Sequence, residues 1–276
     1  MVDLAPIAVA LPAALRKWPQ SEAPTECGVK AAFGINEPFF GWLSRDASRQ
    51  ARFDEGMAGF SGSAGSDSVG DRPQSVDVAA YPWGTVLPHG ATVVDMGGGS
   101  GHVARALAGA FPSFQVTVQD RVEVVEGARR MTASSPTATE TTQNRITYQV
   151  HSFFDPQPLI GADAYFLRQI IHDWPHQEAI AILRGLVPAL KPGARVIISE
   201  YVVPPPEELN NPDRLLDAKL IREMDLQMMA VFNSKERTQD EFAALFAEAD
   251  PRLRYCGTYQ LPEDKKSCIF EAIWEP

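Results

Sequence analysis

The sequence predicts an α/β fold: a mostly parallel sheet covered by helices on both faces, with a short helical segment before it and an antiparallel hairpin at its far end. Three observations predict it. From about residue 85 onward, short β-branched runs alternate with segments of helical periodicity. The first of those runs, in VVDMGGGSGHVARAL at residues 93–107, ends in an acid followed by glycines and a helix-like stretch. Two further strand-like runs then follow each other without a helical segment between them, which the parallel pattern does not explain.

Each element follows from its residues. AALRKW, PFFGWLSRD and ASRQARFDEGMAGF carry apolar residues at helical spacing with charges between, so residues 12–60 read as helical pieces. FSGSAGSDSVGDRPQSV is rich in Ser and Gly and poor in large apolar residues, which makes residues 61–74 a flexible loop. In the sheet, ATVVDM is a strand and GHVARALAGAF a helix; QVTVQD is a strand and VEVVEGARRM a helix; ITYQVHSF is a strand. DAYFLRQII is a buried strand followed by the helix QEAIAILRGLVPAL, and ARVIISEYVV is the next strand. LRYCGTYQ and KSCIFEAIW, joined by LPEDK, form the hairpin. The chain thus divides into a helical segment, residues 1–84, and a sheet domain, residues 85–276.

The bulk composition excludes several classes. Thirty-five acids stand against 25 bases, a formal net charge of −10, which argues against a nucleic-acid partner. The three cysteines, Cys27, Cys256 and Cys268, are scattered and form no C-x-x-C pair, as in a reducing, cytoplasmic protein. The start, MVDLAPIAVALPAALRKW, lacks the basic region of a secretory signal and is too short to span a bilayer, so no membrane association is expected.

The glycine segment carries the first functional expectation. Gly97, Gly99 and Gly101 let backbone approach a ligand where a Cβ would collide. Asp95 stands at the strand end, where ligands bind in open α/β sheets. Asp120 closes the following strand about 20 residues beyond the glycines, the offset of an acid that accepts hydrogen bonds from ribose hydroxyls. A nucleoside-containing cofactor is therefore expected. Gly99, Gly101 and Ala104 formally satisfy the dinucleotide pattern G-x-G-x-x-G/A, but D-x-G-x-G-x-G, made by Asp95, Gly97, Gly99 and Gly101, fits better.

A second constellation follows the buried strand YFLRQII. His172 and Asp173 stand at its carboxyl end, on the same sheet edge as the glycines, where an imidazole titrating near neutrality can act as a general base. The bland reading of His172 is a cap before the next helix. Glu200 ends the strand VIIS and projects over the same rim, and a carboxylate near an imidazole fixes its tautomer and stabilises its charged form. His176 reads as a helix-start residue, and His151 lies late in the third strand.

The D-x-G-x-G-x-G segment resembles the first motif of class I S-adenosylmethionine (SAM) methyltransferases. HDW after an apolar strand, the KPGARVIISE block and NSKERTQDEF at 233–242 resemble the plant and fungal O-methyltransferase family, of which caffeic acid O-methyltransferase and the fungal polyketide O-methyltransferases are members. The fungal pattern is the nearer, with FFDPQPLIGADAYFLRQIIHDW its strongest stretch, and the resemblance covers residues 85–276. It implies a Rossmann-like class I methyltransferase sheet whose last strand runs antiparallel. It also implies SAM as cofactor, S-adenosylhomocysteine (SAH) as product, no metal, and methylation of a phenolic or enolic hydroxyl on a small aromatic or polyketide secondary metabolite.

By position, the resemblance makes His172 the general base and Glu200 and Glu236 the acids flanking it. Gly97 and its neighbours would hold the methionine part of SAM and Asp120 the ribose, Phe153 and Phe154 would line the adenine pocket, and Arg168 stands where plant members carry a lysine near the cofactor. Asp173, Asp225 and Met228 are candidates for the substrate pocket; the plainer reading of the last two is a buried amphipathic face. Two departures stand out. The fungal H-D-F-F is here His151, Ser152, Phe153, Phe154, so the acid expected at the adenine amino group is Ser152, which accepts without charge; weaker or altered cofactor binding is expected. Family members also carry a long N-terminal domain with a winged-helix portion that dimerises and closes the partner's pocket, and most of it is missing here, which weakens the expectation of a homodimer. Three other functions compete: a SAM-binding protein of this fold that catalyses a dehydration or pericyclic step without methyl transfer, a truncated non-catalytic partner of a homologue, and, more distantly, a Rossmann dehydrogenase.

Overall fold

Uninterrupted apolar runs make strands that are buried on both faces, and the centre of this protein is built from such runs. The computed structural model describes residues 4–60, 76–134, 144–260 and 266–276. The loop expected at 61–74 and the hairpin connection LPEDK lie outside the described residues.

The strands are β1 (Thr92–Met96), β2 (Gln115–Asp120), β3 (Ile146–Val150), β4 (Ala164–Arg168), β5 (Arg195–Tyr201), β6 (Leu253–Gln260) and β7 (Ser267–Trp274). They form one sheet in the order β3-β2-β1-β4-β5-β7-β6. The first five are parallel, and β7 pairs antiparallel with both β5 and β6. This is the mostly parallel sheet with an antiparallel end that the sequence predicts. Helix His102–Ala110 connects β1 to β2, Val122–Ser134 lies between β2 and β3, and His176–Leu186 lies between β4 and β5. The chain steps outward from β1 in one direction through β2 and β3, and in the other through β4 and β5. The carboxyl ends of β1 and β4 therefore flank the topological switch point, where open α/β sheets bind ligands.

The chain packs as two compact units. One comprises the described parts of Pro73–Ile171, Gln177–Ile221 and Arg237–Pro276, and contains the whole sheet. Its core joins Val93, Val116, Val118, Phe166 and Ile197 of the strands to Leu107 and Trp83. The other comprises the described part of Met1–Arg72 with His172–His176 and Arg222–Glu236. Its core is aromatic: Phe39 meets Phe232 edge-on at 5.3 Å between ring centroids, Phe40 stacks on Phe232 at 5.3 Å, and Leu43, Ile7 and Val231 fill in around them. Packing thus takes two later stretches of chain into the N-terminal unit, a grouping that sequence order does not display.

Several boundaries differ from the sequence reading. The first helix, Leu4–Lys17, begins before residue 12 and holds Pro12 inside it. PFFGWLSRD supplies only the short helix Phe39–Leu43, and Gly28–Phe33 is an additional helix. β3 ends at Val150, so His151 follows the strand rather than lying in it. β4 ends at Arg168 rather than running on through Ile171, because Gln169 adopts the left-handed φ of 51° and turns the chain into the 3₁₀ turn Ile171–Asp173.

Trp83 is fully buried, with its ring against Tyr81 at 4.8 Å and Phe166 at 5.4 Å between centroids. Trp83→Ala should therefore cost about 3–5 kcal/mol of stability, read as a fall in the denaturation midpoint at constant slope.

Candidate active site

The glycine loop after β1 is shaped by its own packing. Gly97, Gly99 and Gly101 all have positive φ, at 66°, 58° and 80°. At Gly101 a Cβ would sit 2.6 Å from the Tyr148 hydroxyl, and at Gly98 a Cβ would sit 2.5 Å from a carboxylate oxygen of Asp95, which is 1% exposed. Asp95 thus backs the loop from inside the sheet. Gly99 differs: nothing lies within 4 Å of where its Cβ would be, so the crest of the loop presents bare backbone to open space. Asp120 stands beside it. One of its oxygens accepts the Gly99 N–H at 2.9 Å and the other accepts the Arg121 N–H at 2.7 Å. The carbonyl of Ser100 is held by the Tyr148 hydroxyl at 3.1 Å and by the Arg105 guanidinium at 2.7 Å.

The segment after β3 supplies an aromatic pair. Phe153 and Phe154 meet edge-on with centroids 5.1 Å apart, and Phe154 is 42% exposed. The Ser152 hydroxyl accepts the Phe154 N–H at 3.3 Å, closing a local turn. Burial pushes the His151 imidazole below its usual pKa, against a smaller opposing pull from Asp155. Gln157 is 4% exposed and its side chain is bonded to that of Gln119.

At the ends of β4 and β5, Glu200 is 1% exposed, and one of its carboxylate oxygens accepts the N–H groups of Ile170 at 2.9 Å and Ile171 at 2.7 Å. The sequence reading has Glu200 act on an imidazole; these two bonds hold the backbone of the turn that leads to His172. Arg237, 1% exposed, grips the same turn from its other side by donating to the Ile171 carbonyl at 2.8 Å. Arg168 is the last residue of β4, in register with Ser199.

The other unit holds a buried histidine beside three carboxylates. His172 is 8% exposed, and its Nδ1 lies 2.9 Å from Oε1 of Glu236, itself 2% exposed. An ionised Glu236 only accepts, so Nδ1 then carries the hydrogen, and in the neutral ring Nε2 keeps the lone pair. Asp173 lies 3.6 Å from that Nε2, at ion-pair distance once the ring is protonated. Glu236 is buried ahead of the next helix, Gln239–Ala249, which is capped by Thr238. Asp225 accepts the Glu236 N–H at 2.9 Å, fixing that backbone. Asn233, with φ 56°, ends the helix Leu215–Phe232, and its side-chain amide donates to the carbonyls of Ser21 and Ala23 at 2.8 and 3.0 Å. Met228, 5% exposed, packs in this unit's apolar core with Val231 and Phe232, the amphipathic-face reading.

Sequence reasoning did not single out Gly98, Tyr148, Arg105, Gln119, Gln157, Arg237 or Asn233. Gly98 was visible inside the glycine run; for the others the signal is a partner far along the chain. Among the described residues no cluster of His, Cys, Asp and Glu is placed to hold a metal ion, and no helix is long and apolar enough to cross a membrane.

A family model described as an O-methyltransferase domain matches residues 13–250. The chain is 37% identical over 264 residues to a chlorophenol O-methyltransferase of Trichoderma longibrachiatum, an alignment covering 95% of this chain and 53% of that one. It spans about half the length of the curated relatives it matches. Among solved structures it is similar to NcsB1, an O-methyltransferase from neocarzinostatin biosynthesis in complex with SAM and 2-hydroxy-5-methyl naphthoic acid, at 27% identity and a TM-score of 0.71, over 95% of this chain and 67% of that one. A structure described as a pericyclic reaction enzyme is similar at 26% identity and a TM-score of 0.74, over 99% of this chain and 64% of that one.

Burial, more than the adjacent Glu236 charge, raises the Asp225 carboxyl above its usual pKa, with the bond from the Glu236 N–H and the charges of Lys235 and Arg222 pulling the other way. A carboxyl raised by folding contributes stability that is present at low pH and lost as pH rises through its folded pKa. Asp225→Asn keeps an oxygen for the Glu236 N–H, so it should unfold at a higher temperature than wild type at neutral pH. The difference should close as pH falls below about 4, the ordinary aspartate range. Thermal melts at the two pH values check this.

Proposed function

Since the chain belongs to the O-methyltransferase family, whose domain model it matches over residues 13–250, we propose that it transfers a methyl group from SAM to a phenolic or enolic hydroxyl of a small aromatic or polyketide metabolite. The observation that carries this reading is the buried His172–Glu236 pair at 2.9 Å, a general base with its tautomer set.

The residues present fit SAM. Bare backbone at Gly99 gives a ligand close access, Asp120 stands beside it with lone pairs for ribose hydroxyls, and the Phe153–Phe154 pair offers an aromatic wall for a nucleobase. Ser152 supplies an uncharged acceptor where the fungal pattern has an acid. SAM, when bound, supplies a methyl group on a sulfonium sulfur, which leaves without help from an acid or a metal. The protein's own task is then deprotonation and positioning. His172 Nε2 takes the proton of the acceptor hydroxyl, and the imidazolium so formed is stabilised by Glu236 at Nδ1 and by Asp173. Glu200 acts on the backbone before His172, as a positioning residue. The acceptor is a hydroxylated aromatic compound of the kind named for the relatives. Cys27, Cys256 and Cys268 form no disulfide among the described residues, which suits the cytoplasm. A second reading, SAM bound without methyl transfer, is favoured by the similarity to the pericyclic reaction enzyme.

Incubation with methyl-labelled SAM and a panel of chlorophenols and hydroxynaphthoates tests the two readings. Label in the acceptor and release of SAH support methyl transfer, whereas an altered, unlabelled product supports the second reading. His172→Ala should lower kcat about 10²–10⁴-fold with the SAM Kd near wild type. Glu236→Gln, whose amide can donate to Nδ1 and so reverse the tautomer, should also depress kcat. Asp120→Ala should instead weaken the SAM Kd first; an unchanged Kd there would refute its ribose role.

A further inference from the structure

We infer that a buried pair of glutamine side chains, Gln119 and Gln157, is the joint that holds the glycine loop and the Phe153–Phe154 segment at the separation a bound nucleoside requires; the inference rests on reading this site as the SAM site. Gln119 is 1% and Gln157 4% exposed. Gln119 grips the glycine loop through its main chain: its carbonyl accepts the N–H of Gly97 at 2.7 Å and of Gly98 at 3.3 Å. Its side chain grips the other wall. The two amides exchange reciprocal hydrogen bonds, Nε2 to Oε1 in each direction, both at 2.8 Å. Gln119 Nε2 also donates to Gln149 Oε1 at 2.8 Å. Gln157 is fixed in turn: its Oε1 accepts the Leu159 N–H at 3.0 Å, its own N–H donates to the Gly185 carbonyl at 2.9 Å, and its Nε2 lies 3.8 Å from the Met96 sulfur. One residue therefore joins the glycine loop, by its backbone, to the segment that follows Phe154, by its side-chain bonds to Gln157.

Stability alone does not account for this arrangement. Two apolar side chains of similar size would fill the same space without the desolvation cost of two buried amides. A reciprocal amide pair adds geometry: two hydrogen bonds fix both distance and orientation, whereas two leucines have no preferred separation. Such a constraint matters where Phe153 and Phe154 must stand at a set distance from Gly99 and Asp120.

The test uses Gln157→Leu, Gln157→Asn and the double variant Gln119→Leu/Gln157→Leu. SAH affinity is measured by calorimetry and the unfolding midpoint on the same preparations. Gln157→Leu leaves Gln119 Oε1 and the Leu159 N–H without the partners they have here, while Gln119 Nε2 keeps Gln149, and should lose both stability and affinity. Gln157→Asn, an amide one methylene short, covers the case in which the leucine variant does not fold, and should bind SAH more weakly while staying folded. The double variant removes both amides, leaving only the Leu159 N–H and the Gln149 oxygen to find other partners, and should regain part of the stability, yet its SAH Kd should remain weaker than wild type by about tenfold, with the KM for SAM rising and that for the acceptor held. A double variant, or a folded Gln157→Asn, that binds SAH as wild type does would overturn the inference and leave the proposed function standing. A wild-type protein that does not bind SAH overturns both.

Discussion

A strand that ends inside a protein leaves amide groups that must find acceptors, and after β4 this chain meets that requirement with buried charged side chains. Gln169 turns the chain with a left-handed φ, and the next two N–H groups both go to the buried carboxylate of Glu200 on the neighbouring strand. The Ile171 carbonyl goes to Arg237. A charged acceptor and a charged donor thus hold one short turn, with bonds stronger than neutral ones. The residue after Ile171 is His172, so the backbone that leads into the proposed base is held by Glu200 and Arg237.

The chemistry divides along the two packed units. Glycine loop, Asp120, aromatic pair and the Gln119–Gln157 joint belong to the sheet unit, and each is tied to a strand end. His172, Asp173, Asp225 and Glu236 belong to the other unit, where Asp225 fixes the Glu236 backbone and an aromatic core surrounds Phe232. Under the proposed function, donor recognition and proton abstraction would fall to different parts of the chain. Acceptor specificity could then change through residues of the helical unit while the glycine loop and its supports stay as they are.

The sheet was legible because its signals are local. Two-residue and 3.6-residue periodicities, the glycine run and the strand-end acids can be read within a window of a dozen residues. β1 through β7 lie where those patterns place them, and the antiparallel end follows from two strand runs with no helix between. What could not be read depends on partners far along the chain. Nothing local ends β4 at Arg168; the turn at Gln169 is held by Glu200, which lies on another strand. Gln119 and Gln157 look like ordinary polar residues until they are seen 1% and 4% exposed and facing each other. Glu236 reads as a surface acid by its neighbours, and only the histidine 64 positions away makes it a buried partner.

The place of β7 in the sheet bears on how this chain emerges from the ribosome. In chain order it is the seventh strand, yet it lies inside the sheet, between β5 and β6. Until it is synthesised, β5 is an open edge whose residues Val196, Ile197 and Ile198, all fully buried in the finished protein, have no neighbour on that side. Such an edge pairs readily with strands of other chains. A chain that folds as it is made would carry that unpaired border through the translation of the whole stretch from β5 to β7.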